Sequence, residues 1–462
     1  MADPRSDHSE PSSATSTWAS RVVGAVAIAA LGYAAYAAFL APAVAVVNVA
    51  APQRSADALT APAVSVEPPA ASPPSTLPAA ETAVRGTLVS VIVPAHNALR
   101  VLESGKTWLD EALESCAAQT HRPLQLSIFD DGSDDGTGDA IRAWARKLEE
   151  AGVDVVASGS RWNGRESAPA VGTGAARNRA VAQSSGEFLC FLDVDDVMFP
   201  TRVARQLAAN RSHLNAIVGG GHVRSPPGST AHYSNWANTL SQRELKLQQF
   251  RECTVLMPTW FMHRAVFDAV GGFPEVPAGS AEDLRFFLSH LLLGGDLFRV
   301  GDAATPVVSY RWSAGSGASK CTRRLMIDLR AKAFEERILD KAWTGQRFRI
   351  WGAGRDAKHF VRALTPHTRL RISAMIELNE RICGRDYVTP AGVNPREKGN
   401  VARIPIVHFE SAESAASAGD PVVCCVSLRR AHDQAGDRTS LRTNISAACP
   451  GLEEGETLWY FC

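Results

Sequence analysis

Three acidic stretches carry the residues best suited to chemistry: Asp130-Asp-Gly-Ser-Asp-Asp-Gly-Thr137, Asp193-Val-Asp195-Asp196 and Ala281-Glu-Asp283. Asp193 and Asp195 are alternate residues where an apolar strand-like run gives way to a turn. There two carboxylates can reach one ion, and hard oxygen ligands suit Mg²⁺ or Mn²⁺. Asp283 opens a run in which Leu284, Phe287, Leu288 and Leu291 share a helical face, so its carboxylate stands at the helix mouth, where it could take a proton. Each has a plainer reading on its own. Asp-Asp-Gly-Ser is an ordinary turn signal and Asp283 a helix cap. Their weight lies in appearing together and in this order.

The elements that must position them read as a doubly wound α/β sheet. A β-branched run at 88–94 predicts a buried parallel strand, with Ala95-His96-Asn97 as its loop. A helical spacing covers 106–120, and a strand at 124–129 runs into the first acidic stretch. A helix at 139–151, a strand at 153–157 and the segment Gly172-Thr-Gly-Ala-Ala-Arg177-Asn follow. A strand at 187–192 then delivers Asp193. In such sheets ligands collect beyond the carboxyl ends of the strands, and the acidic stretches fall there.

Val89-Ser-Val-Ile-Val-Pro94-Ala-His96-Asn97, Phe129-Asp-Asp131-Gly-Ser, Ala176-Arg177-Asn178 and Phe191-Leu-Asp193-Val-Asp195-Asp196 together resemble the family 2 glycosyltransferases. Gly271-Gly-Phe-Pro-Glu275 and Ala281-Glu-Asp283 resemble that family's acceptor-side segment. The resemblance implies a GT-A fold and an inverting, metal-dependent transfer of a sugar from a UDP-sugar to an acceptor hydroxyl, on a glycan. The sugar it implies is N-acetylglucosamine, because the likeness is strongest to members with a similar following domain. It implies donor-binding roles for Pro94, His96, Asn97, Asp131, Arg177, Asp193, Asp195 and Asp196, with Asp131 accepting from the uracil and Arg177 near the diphosphate. The metal, Mn²⁺ or Mg²⁺, would fall first to Asp195, with Asp193 and Asp196 beside it, and the base would be Asp283. His96 by itself reads as a structural loop histidine.

One departure stands out. Family members commonly carry a histidine shortly after a Tyr-Arg pair, and this chain reads Tyr310-Arg311-Trp312-Ser313. Arg311 or a serine within 313–319 would have to compensate, and a non-catalytic nucleotide-sugar-binding or scaffold protein is the alternative reading. Trp260 and Trp312 are candidates to stack on sugar faces, although buried packing is the commoner job for tryptophan.

A second α/β region is expected over 345–462, after a transferase domain at 84–342. Strand-like Phe348-Arg-Ile-Trp351 leads into Gly352-Ala-Gly354, and a strand at 370–376 ends in Glu377, half of a Rossmann-type pattern. Gly352, Gly354 and Glu377 are thus a possible ligand site. The pattern reads as incomplete, with Lys358 taken as the place of a third glycine, and 386–400 reads as a loop. This Gly-x-Gly alone would support a nicotinamide oxidoreductase only distantly.

Of the 462 residues, 45% are hydrophobic and 21% charged, a globular composition large enough for two domains. Lysine and arginine total 48 and so do aspartate and glutamate, so no global field draws the chain to nucleic acid. Nine cysteines without a CxxC pair argue against zinc and a disulfide framework, and Cys190, Cys424 and Cys425 lie in apolar runs that read as core. After a disordered 1–20, residues 22–41 within a hydrophobic 21–50 form an uncharged stretch long enough to span a bilayer, or else a cleaved targeting segment. An Ala/Pro/Ser-rich linker fills 51–83. This layout predicts a membrane anchor in the Golgi or another secretory membrane. Asn210-Arg-Ser and Asn444-Ile-Ser would then be glycosylation triplets.

Overall fold

The computed structural model describes residues 86–462 apart from 163–168, 278, 314–319, 392–400, 412–413, 415–418 and 427–440. The chain divides between Val84 and Arg85. The segment at 22–41 lies outside the described residues, among which no helix is long and apolar enough to cross a membrane.

A seven-stranded sheet carries the acidic stretches. Its strands are β1 (Val89–Ala95), β2 (Leu124–Asp130), β3 (Val153–Gly159), β4 (Phe188–Phe191), β5 (Ala216–Gly220), β6 (Phe261–His263) and β7 (Asp296–Val300). Their order is β3-β2-β1-β4-β6-β5-β7, parallel from β3 to β4, with β6 antiparallel to both neighbours. Strands β1, β2 and β4 are buried along their whole length, which is why they lack polar alternation. The helices α1 (Trp108–Ala117), α2 (Thr137–Glu150), α3 (Thr173–Gln183), α4 (Arg202–Ser212) and α5 (Glu282–Leu292) cover the sheet. Thr107 and Asp110 form a capping box that fixes the start of α1. A small sheet joins Val197–Met198, His222–Ser225 and Val308–Arg311, placing Arg311 against the acidic loop after β4.

Helix α5 is anchored by aromatic packing. Trp260 is fully buried, with Phe286 at 5.6 Å and Phe273 stacked at 6.2 Å between ring centroids, and its indole Nε1 donates to the Val255 carbonyl at 3.0 Å. Trp260 therefore belongs to the core and offers no face to a sugar. Trp312 is 46% exposed.

Beyond α6 (Arg323–Phe334) lies a six-stranded sheet, made of β8 (Phe348–Trp351), β9 (Ile372–Glu377), β10 (Arg385–Pro390), β11 (Val401–His408), β12 (Val422–Cys424) and β13 (Leu458–Tyr460). Its order is β10-β11-β9-β8-β12-β13, with β10 antiparallel to β11 and the rest parallel. Helices α7 (Arg355–Ala363) and α8 (Leu441–Ala448) belong to it. The loop expected over 386–400 is in part the edge strand β10. Its side chains are mostly exposed, so it lacks the apolar run that marks a buried strand. Phe334 stands 4.9 Å from Phe250 and 5.7 Å from Phe360, so one hydrophobic cluster runs beneath both large sheets.

Asn210 is fully buried and its amide donates to the His213 and Ala216 carbonyls, so this triplet cannot carry a glycan in the folded protein. Cys190, Cys424 and Cys425 are buried, as their apolar runs imply.

Candidate active site

The strand ends of β1 and β2 are stitched together by their loops. Both carboxylate oxygens of Asp131 accept backbone N–H groups, from Val171 at 2.8 Å and Gly172 at 2.9 Å, which fixes the loop entering α3. Gly172 sits at φ +100°, a conformation that a side chain would strain. His96 Nδ1 lies 2.9 Å from the Asp131 carbonyl oxygen. Asn97 accepts from the Asp134 N–H at 3.0 Å and donates its own N–H to Ser133 Oγ at 2.9 Å. Pro94 is buried within β1.

Arg177, on α3, is the hub of the site. It is 3% exposed, and its guanidinium donates to Asp193 at 2.7 Å and to Glu282 at 3.1 Å while lying 5.2 Å above the Phe273 ring. Burial opposes its charge, but Asp193 and Glu282 together hold it above its ordinary pKa. The resemblance points Arg177 at a diphosphate, whereas in this structure two of its nitrogens are engaged by carboxylates. Its Nε is buried without a partner among the described residues. One cation thus ties the acidic loop after β4 to the start of α5.

The remaining aspartates of that loop are crowded. Burial, then repulsion from Asp193, raises Asp195 to about 6. Burial and the two neighbouring aspartates push Asp196 well above the carboxylate range. Asp196 is fully buried; one oxygen accepts the Arg311 backbone N–H at 2.7 Å and the other has no partner among the described residues. The Arg311 side chain donates to the Asp195 carbonyl at 2.8 Å and pairs with Glu111 at 2.6 Å. Arg311 thus braces the acidic loop from the strand end just before the place where an imidazole was expected. Of the other named source of compensation, a serine within 313–319, residues 314–319 lie outside the described residues.

Asp283 sits in the first turn of α5, half-buried, next to Ala281 at φ +53°. A positive φ on a non-glycine residue is strained backbone of the kind that gathers at functional positions. One Asp283 oxygen accepts the Leu284 N–H at 2.7 Å. Burial first, and then Glu282, raise Asp283 to about 6. The carboxylate is protonated below that value and free to accept a proton above it. If it serves as the base, kcat/KM falls about tenfold per pH unit below pH ~6. A pH profile of turnover with no acid limb between pH 5 and 7 would count against that role.

Glu111 and Glu282 were missed by sequence reasoning. Glu282 had a signal in its adjacency to Asp283, but Glu111 is 200 positions from Arg311 and nothing local marks it. Among the described residues, no three His, Cys, Asp or Glu side chains are grouped to hold a metal by themselves. The fit of a hard cation rests on an all-oxygen donor set and on the orphaned oxygen of Asp196.

Residues 90–271 match the model of glycosyl transferase family 2. The chain carries a family 2 glycosyltransferase domain. The matched span holds every candidate from Pro94 to Asp196, while Asp283 and Arg311 lie beyond it. An uncharacterized glycosyltransferase of Rickettsia conorii is 26% identical over 220 residues, 43% of this chain and 31% of that protein. The Escherichia coli UDP-Glc:alpha-D-GlcNAc-diphosphoundecaprenol beta-1,3-glucosyltransferase WfaP is 28% identical over 120 residues, 26% of this chain and 40% of that protein. The chain thus spans less than half the length of these relatives. Among solved structures, Staphylococcus aureus TarS in complex with UDP-GlcNAc is 20% identical with a TM-score of 0.40, covering 61% of this chain and 72% of that one. The mannosyltransferase PcManGT of Pyrobaculum calidifontis is 19% identical with a TM-score of 0.40, covering 55% and 64%.

Proposed function

We propose that this protein moves a sugar, N-acetylglucosamine in the first instance, from a UDP-sugar to an acceptor hydroxyl with inversion at the anomeric carbon. The observation that carries the reading is the Arg177 hub, which joins Asp193 of the acidic loop to Glu282 beside Asp283. It couples the region that would hold a donor to the one that would meet an acceptor. The name of the WfaP relative, a UDP-Glc-dependent glucosyltransferase, supports a UDP-sugar donor.

In this proposal Asp195, flanked by Asp193 and Asp196, holds Mn²⁺ or Mg²⁺, whose chemistry is to neutralise a departing diphosphate. Arg311 keeps the acidic loop rigid from behind, bracing its carbonyl and one carboxylate. Asp131 orders the loop that leads into α3 and faces the nucleotide. Asp283 takes the acceptor proton as the hydroxyl attacks opposite the leaving group, so an α-linked donor gives a β-linked product. Arg311's engagement with the acidic loop supports turnover over a non-catalytic scaffold. Membrane attachment through residues 22–41 belongs to the same proposal and rests on sequence alone.

Incubating the full chain with a panel of UDP-sugars and Mn²⁺ should release UDP, and a chelator should abolish release until Mn²⁺ is restored. Binding of a UDP-sugar without any release of UDP, across a broad acceptor panel, would favour the scaffold reading instead.

A further inference from the structure

A cavity of about 500 Å³ lies away from the acidic loops, at the carboxyl ends of β8, β9 and β12, lined by Trp351, Gly352, Gly354, Glu377, Cys425 and Asn444 among others. With the antiparallel edge strand β10 set aside, the order of appearance of the parallel strands across the sheet is 3-2-1-4-5. The chain therefore reverses direction across the sheet between β8 and β12, where doubly wound sheets open a crevice for a ligand. Both strand ends line this cavity.

The turn after β8 is more complete than its sequence reading allowed. Counted from Gly352, the third position of G-x-G-x-x-G/A falls on Ala357, not on Lys358, and alanine meets the requirement for close helix packing. Ala357 is fully buried. Gly352 has φ +102°, and an added Cβ would lie 3.1 Å from the Cys425 carbonyl oxygen. Gly354 has an ordinary backbone conformation and nothing within 4 Å of an added Cβ, so the space before α7 is open.

The polar groups at the cavity suit a ribose and a phosphate. Helix α7 is nine residues long and its N-cap, Gly354, has no side chain to take up the first N–H groups, which leaves them for an anion. Asp356, in the first turn, would oppose an anion, but Arg323 pairs with it at 3.1 Å and offsets its charge. Glu377 accepts from the Ala353 N–H at 2.9 Å, the Leu378 N–H at 2.9 Å and the Asn379 N–H at 3.2 Å. A carboxylate has about four acceptor sites, so room remains for a hydroxyl. Trp351 is fully buried and part of the lining, and among the described residues its indole N–H has no hydrogen-bond partner.

We propose that this cavity binds a ribonucleotide, with its phosphate on the backbone N–H groups that open α7 and a ribose hydroxyl on Glu377. The site is separate from the family 2 domain. Calorimetric titration of the full chain with AMP, GMP, CMP, UMP and NAD tests it. At least one should bind saturably, and Gly354→Glu, which fills open space without backbone strain, should weaken that binding more than about tenfold. UDP release from a UDP-sugar should be unchanged in the same variant. The 2′,3′-dideoxy form of the preferred nucleotide should also bind wild type at least about fivefold more weakly, a readout that needs no variant. The proposal fails if none of the five binds, if Gly354→Glu binds as wild type does, or if the dideoxy form binds equally well.

Discussion

Asp283→Asn is expected to lower kcat for UDP-sugar transfer by about 10³, within the range set by removing a general base, with little change in donor affinity. Asparagine keeps the shape and can still accept the Leu284 N–H through its amide oxygen, so the start of α5 should hold. It cannot take up a proton at neutral pH. Single-turnover UDP release measures the chemical step, and equilibrium titration with the UDP-sugar measures binding. The acid limb near pH 6 should vanish in whatever activity remains. An Asn variant turning over at the wild-type rate would reduce Asp283 to a charge favoured by the helix dipole and the strained turn before it.

Arg177→Leu is expected to destabilise the fold by roughly 3–5 kcal/mol, because it leaves carboxylates unpaired in a largely buried setting. The side chains of Asp193 and Glu282 are 24% and 20% exposed, so water can replace the lost cation only in part. Urea unfolding followed by tryptophan fluorescence would measure the loss as a lower midpoint at unchanged slope. Arg177→Lys keeps the charge but offers one compact head where two carboxylates are spanned, so it should fall between wild type and Leu. Should Leu cost under about 1 kcal/mol, the hub would not be the structural tie inferred from its distances.

Much of the sheet was legible locally. Val89–Ala95, Leu124–Asp130 and Phe188–Phe191 are buried along their length, and full burial removes polar residues from the run. The edge strand Arg385–Pro390 escaped because one neighbour and an exposed face impose no such pattern. Trp260 stayed open for a related reason: an aromatic suits a sugar face or a core, and only its burial decides. The third position of the glycine turn was legible too, at Ala357, once the count starts from Gly352.

The sequence by itself determined the backbone of the case: which carboxylates stand at strand ends, which helix carries Asp283 in its first turn, and the family 2 span of 90–271. Those features depend on local periodicity and on short motifs whose residues are neighbours in the chain. Tertiary structure alone decided the partners. Arg177 meets Glu282 across 105 positions and Arg311 meets Glu111 across 200, pairings that come from how the elements pack. The charge states follow from the same packing, since burial and like charges raise Asp195 and Asp283, and neither exists until the chain is folded.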